Sequence, residues 1–420
     1  MSGITKTGKS IFILAWLALL VWGIYGVFQR FTLGHRLADY GSYVTWGLWV
    51  SSYIYFIGLS AGAFLLSALI YVFRLERLER IGKTALFTAA ITLVMALITI
   101  FFDLGHEWRF YKVFTSPHFS SMMAWMVWLY TAYFILILTE LWLILRCDLD
   151  RLAREGGALA GLYRVLSLGW NCPEDQEKQK QCHENSIKLL RPLAAFGIPL
   201  ATAFHGGVGA LFATVGARAL WHTPLFPILF LIGALVSGGA LMLALVAIFP
   251  DIGGSEQECK AILSLLGKIV LGLICVDLLL EFAEFFVPLW SGIGPELAGL
   301  KEILLGRFWY VFWIFHIGLG SVIPIALLAF RPQSRIAAGL AGVLIAVTYL
   351  AVRLNMVIPG LITPELKGVA EAFVQPRLTF TYIPSAFEWS VLAFVVAMGI
   401  GIFFIGKRIL PLESTPGQLR

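Results

Sequence analysis

Apolar residues in this chain come in long runs separated by shorter polar stretches, and the runs set the architecture. Ten of them are of the ~20-residue length a helix needs to cross a hydrocarbon core. They fall at 11–28, 44–73, 84–104, 120–145, 193–215, 225–249, 262–289, 308–330, 336–358 and 386–406. No segment alternates with the two-residue period of a strand, which excludes a membrane barrel. The pattern predicts an all-α polytopic membrane protein with about ten transmembrane helices. The broad second run fits a helix that is tilted or kinked at its glycines. The first, Ile11 to Phe28, is too long for a signal-peptide core and lacks a small-residue cleavage site, so it is expected to stay as a helix.

Composition agrees, since 59% of the 420 residues are hydrophobic, 13% are charged and the mean hydropathy is +0.85. A soluble domain cannot bury that much apolar surface. The net charge of +6 therefore reports orientation in a lipid membrane, not a nucleic-acid partner. With the N-terminus inside, about two-thirds of the 31 Lys and Arg fall on inner segments. This bias predicts a multi-pass protein of the cytoplasmic (inner) membrane with both termini cytoplasmic. The longest polar interval, 146–192, separates four helices from six and contains Trp170-Asn171-Cys172-Pro173. It reads as a cytoplasmic connector loop. No internal repeat is evident.

Five cysteines (Cys147, Cys172, Cys182, Cys259, Cys275) form no CxxC pair. Cys172 and Cys182-His183 share the connector, a weak metal spacing that fits ordinary loop thiols better.

Candidate chemistry emerges when polar residues are placed by depth. Asp103 ends the third helix on the outer side and is followed by His106 and Arg109. Glu281 and Glu284 lie in the outer half of the seventh helix, with Asp277 near its middle. At about 100° per residue these three acids share one face. Two readings stay open for them. Arg353 or backbone groups satisfy the acids, or the acids form a proton path with Glu140 nearer the cytoplasm. Arg353, near the outer end of helix nine, and Glu388, at the outer start of helix ten, are candidates for a structural ion pair.

His205 lies in His205-Gly206-Gly207-Val208-Gly209, whose glycines suit close helix packing or a flat ligand. Gly58-Leu59-Ser60-Ala61-Gly62 is most simply a packing motif. His205 and His316 lie at similar depth, so a haem b held between them is an alternative, making the chain a quinol-oxidising cytochrome. A proton-coupled transporter is a third class, but inverted repeats and broken helices are not evident. The stretch from Asp103 to Tyr111 offers hydrogen-bond donors, titratable groups and aromatic faces at the membrane surface. Trp46 and Tyr382 are expected at the same level. A quinone head group needs that combination.

These residues also resemble the NrfD/polysulfide-reductase membrane subunit family. The likeness runs through Trp46-Gly47-Leu48-Trp49, the Gly58–Gly62 motif, Asp103-Leu104-Gly105 with Arg109-Phe110, and Pro117 with Ser120-Ser121-Met122. It continues through His205 with Gly209, Leu220-Trp221-His222-Thr223-Pro224 with Pro227, Arg353-Leu354-Asn355, and Tyr382-Ile383-Pro384-Ser385 with Glu388. The last three resemble its longer, ten-helix branch, which includes membrane subunits of the hydrogenase-2 type and of a sulfite-reductase-associated complex. Glu107 stands where many members have proline, which makes His106 less secure as a ligand contact.

The resemblance implies two four-helix bundles plus two extra helices. These are expected as 1–145, then the connector 146–192, then 193–330, with the additional helices and tail in 331–420. It also implies a quinone site near the outer face, with no haem or metal in this chain. Electrons would pass between menaquinone and an outer iron–sulfur, ferredoxin-like subunit. Further redox partners would be a multihaem cytochrome c, a molybdoenzyme or a hydrogenase. The expected quinone-site residues are Trp46, Asp103, His106, Arg109, His205 and Tyr382, of which Asp103, His106 and His205 exchange protons or hydrogen-bond the head group. Asp277, Glu281, Glu284 and Glu140 would carry protons.

Overall fold

A computed structural model describes residues 6–173, 175–292, 294–366, 368–373 and 375–412. The last residues of the expected C-terminal tail, 413–420, lie outside the described residues. Ten helices are long and apolar enough to cross a membrane. They are α1 (Lys6–Leu33), α2 (Leu48–Val72), α3 (Gly82–Asp103), α4 (Met122–Glu155) and α5 (Gln176–Ala213). The second half adds α6 (Phe226–Ile248), α7 (Glu256–Ser291), α8 (Val311–Phe330), α9 (Arg335–Ile362) and α10 (Ala386–Ile409). No strand occurs among the described residues. The chain is an all-α, multi-pass integral membrane protein.

Several helices start where the sequence supplies a side-chain cap. Ser255 with Glu258 and Ser385 with Glu388 form capping boxes at α7 and α10, and Asp175 and Ser334 cap α5 and α9. Each cap satisfies backbone N–H groups that a helix start leaves unpaired. Pro192 and Pro199 in α5, Pro288 in α7 and Pro359 in α9 lie inside helices. Neighbouring helices make such prolines tolerable in membrane spans.

Packing does not follow the expected division by chain order. Helices α2, α3, α4 and α5 contact one another as one bundle, and α6, α7, α8 and α9 as a second. The two extra helices are α1 and α10, which pack together and lean on α3. Trp16 Nε1 donates to Ala397 O at 2.8 Å across the α1–α10 contact. The expected connector is also shorter than 146–192, because α4 runs to Glu155 and α5 begins at Gln176. Between them lies the short helix Ala160–Leu166.

The two bundles join where α2 meets α6. A Cβ on Gly62 would stand 2.0 Å from Ala234 O, and one on Gly238 would stand 2.6 Å from Gly62 Cα. Backbones pack that closely only where small residues allow it. Gly62→Ala is expected to force α2 from α6 and destabilise the protein by about 1–3 kcal/mol. Thermal unfolding of the detergent-solubilised variant checks this, and an unchanged transition would contradict it.

Connections alternate between the two ends of the bundle. One end gathers the ends of α1, α3, α5, α7 and α9 with the starts of α2, α4, α6, α8 and α10. This end holds the candidate site.

Candidate functional site

At that end α1 stops at Leu33, and Gly34 turns the chain with a positive φ of 63°. A left-handed backbone favours glycine because a Cβ would collide with the following carbonyl. The turn leads to His35, which with Tyr40, Ser42, Thr45, Asp103 and Arg377 lines a cleft of about 290 Å³. Arg30, 2% exposed, ties the two sides of the cleft together. Its Nε donates to Phe102 O at 2.7 Å, and Nη2 donates to Leu104 O at 2.5 Å and Glu107 Oε2 at 3.3 Å. The end of α3, and Asp103 with it, is thereby fixed to the end of α1. Glu107, unusual by the family resemblance, has a structural partner in Arg30.

Inside the cleft, Tyr40 Oη donates to Asp103 Oδ1 at 3.4 Å. The His35 ring lies 5.5 Å from that of Tyr40 and 5.7 Å from that of Trp49. His35 Nε2 is buried without a hydrogen-bond partner. Burial, and then the Arg30 guanidinium, lower the His35 pKa to about 4, so the imidazole is neutral at physiological pH. Burial and the Asp103 carboxylate push the Tyr40 phenol well above its ordinary value. Arg377 closes the rim by donating to the carbonyls of His35 and Arg36, at 3.4 and 3.3 Å. The cleft thus combines a neutral imidazole, a phenol and a carboxyl group, and can hydrogen-bond a carbonyl ligand and exchange a proton with it.

Behind Tyr40, at a ring separation of 6.4 Å, lies Tyr382. Its hydroxyl donates to Glu388 and accepts from Leu48 N at 2.6 Å. Glu388 is fully buried, and its Oε1 accepts from Asp39 N at 3.0 Å. This network braces the cleft from α10. Glu388 does not pair with Arg353, contrary to the expectation from sequence. The Arg353 guanidinium instead sits 4.6 Å from the Phe230 ring and donates to Met356 Sδ at 3.2 Å.

A second cavity, about 310 Å³, opens along α7 and is lined by Asp277, Glu281, Glu284, Thr223, Tyr349 and Asn355 among others. The three acids share it because they share a helical face. Asp277 is 5% exposed, whereas Leu279 and Phe282 on the opposite face are 66% and 62% exposed. Such apolar exposure fits a lipid-facing surface. Each acid has its own neighbour. Asp277 accepts from Tyr349 Oη, Glu281 Oε2 lies 3.3 Å from His316 Nε2, and Glu284 Oε2 accepts from Thr223 Oγ1 at 2.8 Å. His316 lies within Val311–Val322, which is wound as a π-helix, a geometry common at functional sites. Separate partners reduce the mutual repulsion expected for three stacked acids, and Arg353 hydrogen-bonds none of them.

Other expected site residues lie elsewhere. His106 and Arg109 are exposed on the turn around Glu107–Arg109 and do not line the cleft. Trp46 stacks on Trp221 at 5.8 Å with its edge towards Phe212. His205 is fully buried between Phe204 and Phe230, with neither ring nitrogen partnered. Its glycine neighbours serve packing, since a Cβ on Gly209 would lie 2.6 Å from Phe226 O. His205 packs among aromatic rings, His316 faces Glu281, and neither lines either of these two cavities. Glu140 is fully buried with both carboxyl oxygens unpartnered.

Sequence reasoning missed His35, Tyr40 and Arg377. The signal available was a titratable and aromatic stretch, His35 to Tyr40, directly after α1 and at the level of Asp103.

The family profile described as "Polysulphide reductase, NrfD" matches residues 38–365. The chain belongs to the NrfD family. Within that match fall Tyr40, Asp103 and the acidic cavity of α7, while all of α1 and all of α10 flank it. Among NrfD-like relatives, a selenate reductase subunit from Mesobacillus selenatarsenatis is 38% identical over 95% of this chain and 93% of its own length. The Hdr-like menaquinol oxidoreductase integral membrane subunit of Archaeoglobus fulgidus is 26% identical, covering 92% of this chain and 90% of its own. The integral membrane subunit of menaquinone reductase from Nitratidesulfovibrio vulgaris is 21% identical over 95% and 90%.

Proposed function

We propose that the chain is the quinone-reactive membrane subunit of a respiratory oxidoreductase complex, with the head group held in the cleft among His35, Tyr40 and Asp103. The observation that carries this reading is the unpartnered, buried Nε2 of His35 in the same small cleft as the Tyr40–Asp103 pair. A quinone offers two carbonyl acceptors and, on two-electron reduction, takes two protons. Neutral His35 can donate a hydrogen bond to one carbonyl, the Tyr40 hydroxyl can donate to the other by turning from Asp103, and Asp103 can give or take a proton. Two relatives carry menaquinol or menaquinone in their names, which supports menaquinone as the substrate. The selenate reductase relative favours quinol oxidation, with electrons leaving towards a reductase subunit.

The Lys and Arg bias supports a cleft at the outer face of the cytoplasmic membrane with both termini in the cytoplasm. An iron–sulfur, ferredoxin-like subunit docked at the cleft's end would take the electrons on to a molybdoenzyme, multihaem cytochrome c or hydrogenase partner. Tyr40→Phe keeps the ring and removes one hydrogen bond, so KM for menaquinol is expected to rise about tenfold. Steady-state kinetics of the purified complex test this, and an unchanged KM would argue against the cleft.

Asp277, Glu281 and Glu284, with Glu140, are proposed as a proton route, on the ground that the three α7 acids line one cavity. Glu281→Gln is expected to slow proton uptake or release in proteoliposomes about tenfold while leaving KM for quinol unchanged. A pH-sensitive dye follows the protons, and an unaltered proton signal would leave these acids a structural role.

A further inference from the structure

Three cysteines, Cys147 well separated in sequence from the other two, converge at the opposite end of the molecule. Cys147 on α4, Cys172 between α4 and α5, and Cys182 on α5 place their Sγ atoms within 4.8 Å of one another. All three are buried, and Trp170 packs against them. Cys259 is buried elsewhere and Cys275 is exposed, so the convergence is confined to these three.

The surroundings are built to hold the thiols in place. Cys172 N donates to Asp150 Oδ2 at 2.7 Å, and Cys172 O accepts from Arg154 Nη2 at 2.5 Å. Asp150 and Arg154 are themselves paired, so both backbone groups of Cys172 are clamped by one ion pair. Ser186 Oγ lies 3.6 Å from Cys147 Sγ and accepts from Arg146 Nε at 3.1 Å. The Arg146 guanidinium lies 3.7 Å from the Trp170 ring centroid, bringing positive charge beside the sulfurs. His183, next to Cys182, lies with Nε2 3.4 Å from Asp148 Oδ1.

We propose that Cys147, Cys172 and Cys182 bind one thiophilic divalent ion of the zinc class. A disulfide would use two of the thiols and strand the third, whereas a metal ion uses all three. Tetrahedral zinc with Zn–S bonds of about 2.3 Å sets its sulfurs roughly 3.8 Å apart, inside the observed spread. The Cys147–Cys182 pair, now at 2.6 Å, opens by about 1 Å to meet that geometry. Binding releases three thiol protons to solvent and leaves a net charge of −1, which faces Arg146. The fourth position goes to water. Hydrogen-bonded groups outside the ligands are the usual support of such a site. The ion staples the α4–α5 junction and does not touch the redox cleft.

The test is elemental analysis of the tag-free complex purified without chelator. One zinc per chain above the partner subunits' content is expected. Cys172→Ser should lose it, and Cys259→Ser should keep it. If Cys172→Ser does not accumulate, cobalt loading of the wild-type protein decides, with thiolate-to-cobalt charge-transfer and tetrahedral ligand-field bands expected. Absence of zinc together with absent cobalt bands would overturn the proposal. So would a Cys147–Cys182 disulfide found by mass spectrometry of the unreduced, alkylated chain.

Discussion

Replacing Asp103 with Asn is expected to slow menaquinol turnover by on the order of a hundredfold, with little change in stability. The two side chains have nearly the same shape, and an amide oxygen can still accept the Tyr40 hydrogen bond, which is 3.4 Å long here. Only the capacity to exchange a proton disappears. A general acid or base contributes roughly 10²–10⁴-fold in other enzymes, and the lower end suits a site near the membrane surface where water can substitute in part. Kinetics of the purified complex should show the loss in kcat, while the variant accumulates and unfolds like wild type. Full turnover would remove Asp103 from the chemistry.

Arg30→Ala is expected to have the larger effect on stability, about 3–5 kcal/mol. Arg30 is buried, and its loss leaves Phe102 O, Leu104 O and the Glu107 carboxylate without their donor. A half-buried anion without its cation accounts for most of that cost. Glu107→Gln should be milder, since it sheds the anion and leaves Arg30 both carbonyl contacts. The Arg30 variant should also lose activity, because Arg30 holds His35 and Asp103 on opposite walls of one cleft. Membrane abundance and thermal unfolding measure the first effect. If Arg30→Ala behaved like Glu107→Gln, the two carbonyl contacts would carry little.

The helices themselves were legible, because lipid imposes a run length that the apolar pattern displays directly. The shared face of Asp277, Glu281 and Glu284 was legible for the same kind of reason, since helical phase is fixed by spacing. What spacing does not encode is which helices meet. That α1 pairs with α10, leaving α2 to α5 as the first bundle, depends on contacts such as Trp16 to Ala397 and on close backbone approaches. The same limit explains the cleft. Asp103 was visible as an acid at a helix end, but His35 and Tyr40 reach it only because Gly34 turns the chain and Arg30 ties α1 to α3. His106, closer to Asp103 in sequence, points away on an exposed turn. Depth alone suggested an ion pair between Arg353 and Glu388. Their separate networks, one against Phe230 and the other with Tyr382 and Asp39, depend on tertiary packing. Cys147 lay on a different helix from the connector thiols, so its place beside them could not be read from local spacing.

The central claim is that the quinone head group occupies the His35–Tyr40–Asp103 cleft and not the acidic cavity of α7. Photolabelling of the purified complex with an azido-menaquinone, followed by peptide mass spectrometry, tests it most directly. The account predicts label on peptides carrying His35 to Thr45 or Asp103, reduced by excess menaquinone. Label confined to the peptide carrying Asp277 to Glu284, with none at His35 to Thr45 or Asp103, would contradict it.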